Sequence, residues 1–165
     1  MNLTTEPRKV SKMKKLIVIA FMAITSIANG QDAQTEAYVE LLRSDLRAGK
    51  VELITNVMEF TAKESVAFWP VYREYELKLS KIKDGRVKLI KEYALVYDTM
   101  TDKKAKELVK KLFDLQEKRF KLKKEYFKKF EKALSAVIAA KFIQLENQIN
   151  RIVDLQIAME LPLIE

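Results

Sequence analysis

Apolar side chains recur along the chain at alternating spacings of four and three residues, the heptad pattern of a helix that packs along a partner. Between Phe68 and Met100 every position of this stripe is apolar or aromatic except Arg86. We therefore predict one long helix over Ala62–Met100, about 58 Å in length. Pro70 follows the second turn of this helix and is expected to kink it.

The same periodicity predicts three further helices. The first covers Thr35–Met58, the third covers Asp102–Leu134, and the fourth covers Ser135–Glu160 and ends before Pro162. Only a few residues connect one predicted helix to the next, and short connections make neighbouring helices antiparallel. The pattern therefore predicts an all-α fold of four helices, with a long central antiparallel hairpin covered by the two outer helices.

The third predicted helix carries two apolar stripes side by side. The first stripe consists of Leu108, Leu112, Leu115, Leu122 and Tyr126. The second stripe consists of Val109, Phe113, Phe120, Phe127 and Phe130. Two adjoining stripes form a broad apolar face that needs more than one neighbour. An elongated layer of four helices leaves part of this face uncovered, so we predict a homodimer.

The start of the second predicted helix has a recognisable local motif. Thr61 precedes the helix and Glu64 follows three residues later, which is the spacing of a capping box. Phe60 lies just before the cap, in the position of a hydrophobic staple. Trp69, the single tryptophan, precedes Pro70, and we expect it to fill the core or the kink rather than to stack on a ligand. These five residues form the predicted structural motif.

The segment from Met13 to Gly30 has the features of a secretory signal peptide. Lys14 and Lys15 precede an apolar stretch over Leu16–Ile24, and Ala28–Gly30 is a small-x-small cleavage site. We predict export with cleavage near Gly30, residues 1–12 as an upstream extension, and residues 31–165 as a single helical domain. The alternative is a retained N-terminal anchor, although the apolar run is shorter than the roughly 20 residues of a membrane span.

Composition narrows the functional classes. The chain has no histidine and no cysteine, so it lacks the commonest catalytic base and metal ligand, a thiol nucleophile, and any disulfide. We find no nucleophile elbow and no glycine-rich phosphate loop. Carboxylates alternate with lysines at helix-surface spacing, as in Glu74 and Lys78, which indicates salt-bridged faces rather than a metal site. The sequence therefore predicts a protein that is not an enzyme and holds no cofactor or metal.

The formal net charge of +8 falls by 5 − 1 = 4 when residues 1–30 are removed, so the expected mature chain carries about +4. The main charge feature is Lys118–Lys132, where eight basic residues surround interleaved aromatic residues. Three interpretations remain open for this segment: a lysine-rich solvent face opposite an aromatic core face, a surface for acidic or unfolded polypeptides, and a site for nucleic acid or an anionic membrane. Export argues against nucleic acid. The candidate binding residues are Lys121, Lys124, Lys128, Phe113, Phe120 and Phe127.

Two segments resemble the Spy/CpxP family of small periplasmic proteins, which is grouped by an LTxxQ motif. Phe60–Ser65 followed by Phe68–Tyr72 is similar to the family's Leu-Thr-x-x-Gln helix start in forms that continue with Phe-Trp-Pro-x-Tyr. Ala139–Asn147 resembles the repeat of the motif ahead of the last helix. Phe60 stands where the family has leucine, and the second segment has no Leu-Thr pair.

The resemblance implies a cradle-shaped, periplasmic helical protein that commonly dimerises. Family members act as ATP-independent chaperones, as inhibitors of envelope-stress signalling, or as metal sensors that use histidine, which this chain lacks. The expected function is an envelope-stress chaperone that binds unfolded or membrane-bound envelope proteins without turnover. The alternative is a regulatory partner or sensor that modulates a membrane-bound stress or sigma-factor signalling system. A structural helical protein on the envelope membrane is a third, weaker alternative.

Overall fold

The computed structural model describes residues 47–164. The predicted signal peptide, the upstream residues 1–12 and the beginning of the first predicted helix, from Thr35 to residue 46, lie outside the described residues. Contacts divide the chain into two units between Leu53 and Ile54. In the first unit, residues 47–53 are described and are helical. The second unit contains the rest of the described chain.

Four α-helices account for most of the described residues: α1 over residues 47–58, α2 over Ala62–Val96, α3 over Asp102–Ala133 and α4 over Ala136–Glu160. Residues 47–164 contain no β-strand, so the prediction of an all-α fold is confirmed. The predicted end of the second helix at Met100 is wrong, because α2 ends at Val96 and a single 3₁₀ turn, Tyr97–Thr99, follows it.

Side-chain caps explain where the helices begin. The Thr61 hydroxyl accepts a hydrogen bond from the Glu64 amide (3.3 Å), and the Glu64 carboxylate accepts one from the Thr61 amide (2.9 Å), which completes a capping box. Thr101 and Ser135 cap α3 and α4 in the same way, each accepting from an amide three residues later. The chain reaches the first cap through Glu59, whose φ of 52° is left-handed.

The residues around the first cap pack differently from a simple staple. The staple position within α2 is occupied by Ser65, and the Phe60 ring instead contacts Phe68 at a centroid distance of 4.4 Å. The Ser65 hydroxyl accepts a hydrogen bond from Trp69 Nε1 (2.9 Å). Trp69 is half-buried and packs against the buried hydrophobic side chains of the interior. The helix α2 continues through Pro70.

Ion pairs show how α2 and α3 are aligned. Glu74, near the start of α2, binds Lys129 near the end of α3 (2.9 Å). Glu92, near the end of α2, binds Lys111 near the start of α3 (2.9 Å). The two helices therefore run in opposite directions. Gly85 lies at their close approach, since a Cβ there would be 2.9 Å from Leu115 Cδ2.

The fourth helix runs beside α2 in the same direction. The Tyr75 hydroxyl donates to Glu146 (3.2 Å), and further along Arg86 binds Asp154. Beyond α4, the Tyr93 hydroxyl donates to the carbonyl of Pro162 (2.7 Å). The three residues of α2 and their three partners follow the same order along the chain, so α2 and α4 are parallel. Together with α3 they enclose a common interior.

The interior is richest where the start of α2, the end of α3 and the start of α4 meet. Its largest members are six buried aromatic side chains whose rings contact one another in stacked and tilted arrangements: Phe68, Tyr72, Tyr75, Tyr126, Phe130 and Phe142. The predicted stripe of α2 is buried from Phe68 to Leu79, whereas from Ile82 onward its members are half-exposed. Close packing is therefore concentrated in one half of this unit.

Candidate functional site

The third helix presents one side to the interior. Leu108, Leu122 and Tyr126, from the first predicted stripe, are buried, and so is Phe130 from the second. Because these positions share one face of a helix with 3.6 residues per turn, the opposite side of α3 is available to solvent. That outer side carries most of the residues that the sequence predicts for binding.

The three candidate phenylalanines are in different environments. Phe113 and Phe120 are 61% and 64% exposed. Val109, one turn before Phe113, is 44% exposed and extends the same apolar line. Phe127 is only half-exposed, because it packs against the buried hydrophobic side chains of the interior. Exposure of two phenylalanines on one helix is unusual for apolar side chains of this size and marks a surface that can bind a partner.

The lysines that face α2 are neutralised by carboxylates. Glu92 accepts hydrogen bonds from Lys104 (2.5 Å) and Lys111 (2.9 Å). Glu74 accepts one from Lys129 (2.9 Å). These bonds lower the pKa of both carboxyl groups. Donation to a carboxylate also raises the pKa of each lysine: Glu92 contributes most at Lys104, Glu107 at Lys111 and Glu74 at Lys129. This side of α3 is therefore charge-balanced.

The lysines on the outer side of α3 are different. Lys121 binds Glu117 one turn away on the same helix (2.6 Å), and both side chains are mostly exposed. Lys124 and Lys128 are exposed and lie within 4 Å of no carboxylate of the described residues. Lys106 and Lys110, nearer the start of α3, share this property. We name Val109, Phe113 and Phe120, together with Lys106, Lys110, Lys124 and Lys128, the α3 outer surface.

A polar group ties the three helices together near their middle. Asp154 of α4 binds Arg86 of α2 and Arg119 of α3. Burial alone would raise the pKa of Asp154, but the hydrogen bond from Arg86 and the charges of both guanidinium groups outweigh it, so the pKa is lowered. Arg86 is the polar exception in the predicted stripe, and this contact explains its presence there.

A cleft of about 370 Å³ lies between Phe127 of α3 and the side of α4 that faces it. Phe127 and Ile143 form its apolar walls, and Gln144, Asn147 and Arg151 line it with polar groups. Lys123 Nζ donates to Asn147 Oδ1 (2.8 Å) at its edge. Burial and the nearby charge of Arg119 lower the pKa of Lys123.

Sequence reasoning placed Phe127 among the candidates but missed the α4 residues of the cleft. Gln144 and Asn147 lie within Ala139–Asn147, the second segment that resembles the family motif. The cluster of amides at three- and four-residue spacing was the available signal, since such residues share one helix face.

Within residues 47–164, no group of three or more acidic side chains is arranged to hold a metal ion. Among the described helices, none is both long enough and apolar enough to span a bilayer. Comparison with known proteins found no matching family model, no matching curated protein and no matching solved structure.

Proposed function

We propose that this chain is an exported envelope-stress protein of the Spy/CpxP-like type, which binds unfolded polypeptides in the periplasm as a chaperone that uses no ATP. The observation that carries the proposal is the α3 outer surface, where exposed Phe113 and Phe120 lie beside lysines that no carboxylate of residues 47–164 neutralises. A folded protein gains nothing from this combination by itself, whereas an acidic, partly unfolded chain offers both complementary charge and apolar side chains.

The proposed mechanism separates capture from holding. Unpaired lysines attract acidic segments over about one Debye length, roughly 10 Å at 0.1 M salt. The exposed parts of Phe113 and Phe120 then lose contact with water, which contributes on the order of 1 kcal/mol for each ring. A gain of this size holds a client weakly, so the client is released without an energy source.

The proposed architecture of this binder has α2 and α3 as its central antiparallel hairpin, with α4 alongside. The complete assembly is a homodimer. Support for self-association comes from α4, where Ile152, Leu155 and Met159 lie on one helix face and are 57%, 62% and 76% exposed. In this proposal α4 contacts the second copy and the α3 outer surface stays open for clients.

The test measures aggregation of a chemically denatured acidic protein by light scattering, in the absence of nucleotide. The chain at stoichiometric amount and low salt is expected to suppress the scattering. Phe113→Ser combined with Phe120→Ser should remove most of this effect. The matched control is Val66→Ser with Leu77→Ser, which alters two comparably exposed residues on α2 and should retain it. Failure of the unaltered chain to suppress aggregation would contradict the proposal.

Capture from an envelope extract separates chaperoning from regulation. A broad set of bound proteins, reduced by the Phe113 and Phe120 substitutions, agrees with the chaperone function. One stoichiometric partner instead would favour the regulatory function, in which the same surface modulates a membrane-bound stress or sigma-factor signalling system.

A further inference from the structure

Exposed residues of α3 form a heptad line that is apolar except at Gln116. Val109, Phe113, Gln116 and Phe120 are all exposed and follow one another at spacings of four, three and four residues. At 1.5 Å per residue this line is about 16 Å long, or three turns of a helix. Three residues after Phe120 the line reaches the half-buried Lys123, and four residues further it reaches Phe127, at the cleft between α3 and α4.

This geometry favours one way of binding a polypeptide. The main-chain groups of α3 are occupied within the helix, and residues 47–164 offer no strand edge, so an extended chain cannot be held there by strand addition. A line of side chains at alternating spacings of three and four fits the equivalent line on a second helix. A line three turns long, with Val109, Phe113 and Phe120 as its apolar members, therefore fits an amphipathic helix.

The charges beside this line specify the polar face of that helix. Lys110 lies three residues before Phe113, and Lys124 lies four residues after Phe120, so each phenylalanine has an unpaired lysine one turn away. Lys128 extends the basic edge by a further turn. On the opposite edge, toward α4, Arg151 is exposed at the cleft. Basic groups on both edges require acidic residues on both sides of the partner's apolar stripe.

We infer that the α3 outer surface binds acidic amphipathic α-helical segments in preference to extended chains. The inference rests on the proposed function, because it names the class of client that the same surface takes. A second copy of this surface is a poorer occupant, since it would bring the unpaired lysines of both copies together.

The test uses three labelled synthetic peptides of about 20 residues and the full chain, with binding measured by fluorescence anisotropy. The first peptide has leucines at heptad spacing and glutamates on both flanks. In the second, two central residues are replaced by proline, which prevents a helix but keeps the charge. In the third, lysine replaces glutamate. The first peptide is expected to bind at least about tenfold more tightly than either of the others.

Variants then assign the binding to the surface. Lys124→Glu with Lys128→Glu should weaken binding of the acidic helix by about tenfold, because two attractions become repulsions. The control, Lys81→Glu with Lys88→Glu, makes the same change of net charge at exposed positions of α2 and should change binding by less than about twofold. Far-UV circular dichroism should show that the peptide gains helix when it binds.

The outcomes distinguish this inference from the proposed function. Equal binding of the first two peptides would overturn the helix preference while leaving a binder of unfolded chains. Absence of binding to both, together with no suppression of aggregation, would overturn both proposals. Binding that is insensitive to the Lys124 and Lys128 substitutions would place the peptide site elsewhere on the chain and overturn the assignment to this surface. Displacement of the peptide by vesicles of phosphatidylserine and phosphatidylcholine would show that the surface serves an anionic membrane instead. Loss of dimers on substitution of Phe113 and Phe120 would assign it to a second copy.

Discussion

Glu146 is the fully buried charged residue in the interior of the described unit. Its Oε1 atom accepts hydrogen bonds from the Tyr75 hydroxyl (3.2 Å) and from Asn150 Nδ2 (3.1 Å). Burial, followed by the charge of Glu146, raises the pKa of Tyr75, so this hydroxyl remains a donor throughout the accessible pH range. A buried carboxyl group is tolerated only with such partners, which makes Tyr75 a structural requirement of Glu146.

We therefore expect Tyr75→Phe to destabilise the protein by about 1–3 kcal/mol, since it leaves the buried carboxyl group with one fewer donor. Tyr126→Phe is the matched control. Tyr126 is equally buried, but its hydroxyl makes no well-formed hydrogen bond with a described residue. Its removal should change stability by less than about 0.5 kcal/mol. Urea denaturation measures both variants, and equal losses would contradict a special role for the Tyr75–Glu146 contact.

Contacts between residues that are close in sequence are predictable, whereas contacts between distant residues are not. Thr61 and Glu64 were predictable because a capping box depends on residues three apart. Burial of Glu146 was not predictable, because its partner Tyr75 lies 71 residues away. Apolar residues at helical spacing, including Phe142 and Leu145, identify the buried face of α4. Nothing in the sequence around Glu146 distinguishes it from a carboxylate on the solvent-exposed face.

At the scale of elements, the sequence predicts helices well and their environments less well. The stripe spacing of α3 is the same at Phe113, Phe120 and Phe127, but exposure falls only at Phe127, which packs against the core. The difference depends on where α4 packs against α3, and the sequence of α3 alone does not determine that position. The balance of lysine charges likewise depends on α2, since Lys129 and Lys128 are adjacent in sequence and only Lys129 meets Glu74.

The contact of Asp154 with Arg86 and Arg119 joins three helices, and it predicts a pH dependence of stability. The folded pKa of Asp154 lies below its unfolded value. Its contribution to stability is therefore fully present above the unfolded pKa and is lost as the pH falls through the folded pKa. Between about pH 6 and pH 2.5, the unaltered chain should lose more stability than Asp154→Asn, which has no carboxyl group to protonate at this position.

The guanidinium groups of Arg86 and Arg119 stay charged throughout this range, so their mutual repulsion in the variant does not change with pH. Other carboxyl groups with lowered pKa values, such as Glu74 and Glu92, are common to both proteins and cancel in the comparison. Urea denaturation at several pH values gives the two slopes. Identical slopes would mean that the three-helix contact does not persist in solution.

At the scale of the whole molecule, apolar surface is distributed unevenly. The aromatic interior occupies one half of the described unit, whereas the second half of α4 leaves Ile152, Leu155 and Met159 largely exposed. Packing among the described residues therefore does not cover these side chains. Their positions at spacings of three and four give one continuous strip, which is the arrangement that a second helix can cover.

We expect this strip to mediate dimerisation. Burial of three side chains from each of two copies gives on the order of 9 kcal/mol, of which association consumes at least about 4 kcal/mol. The result is a weak dimer, so the mass in sedimentation equilibrium should increase with protein concentration in the range of about 1 to 1,000 μM.

Ile152→Asp with Leu155→Asp should keep the protein monomeric throughout that range, because dimer formation would then bury four carboxylates. The control, Val66→Asp with Leu77→Asp, introduces the same charges at exposed positions of α2 and should dimerise like the unaltered chain. A monomeric mass for the unaltered chain at the highest concentration would exclude this dimer, and the exposed strip of α4 would then need a different partner.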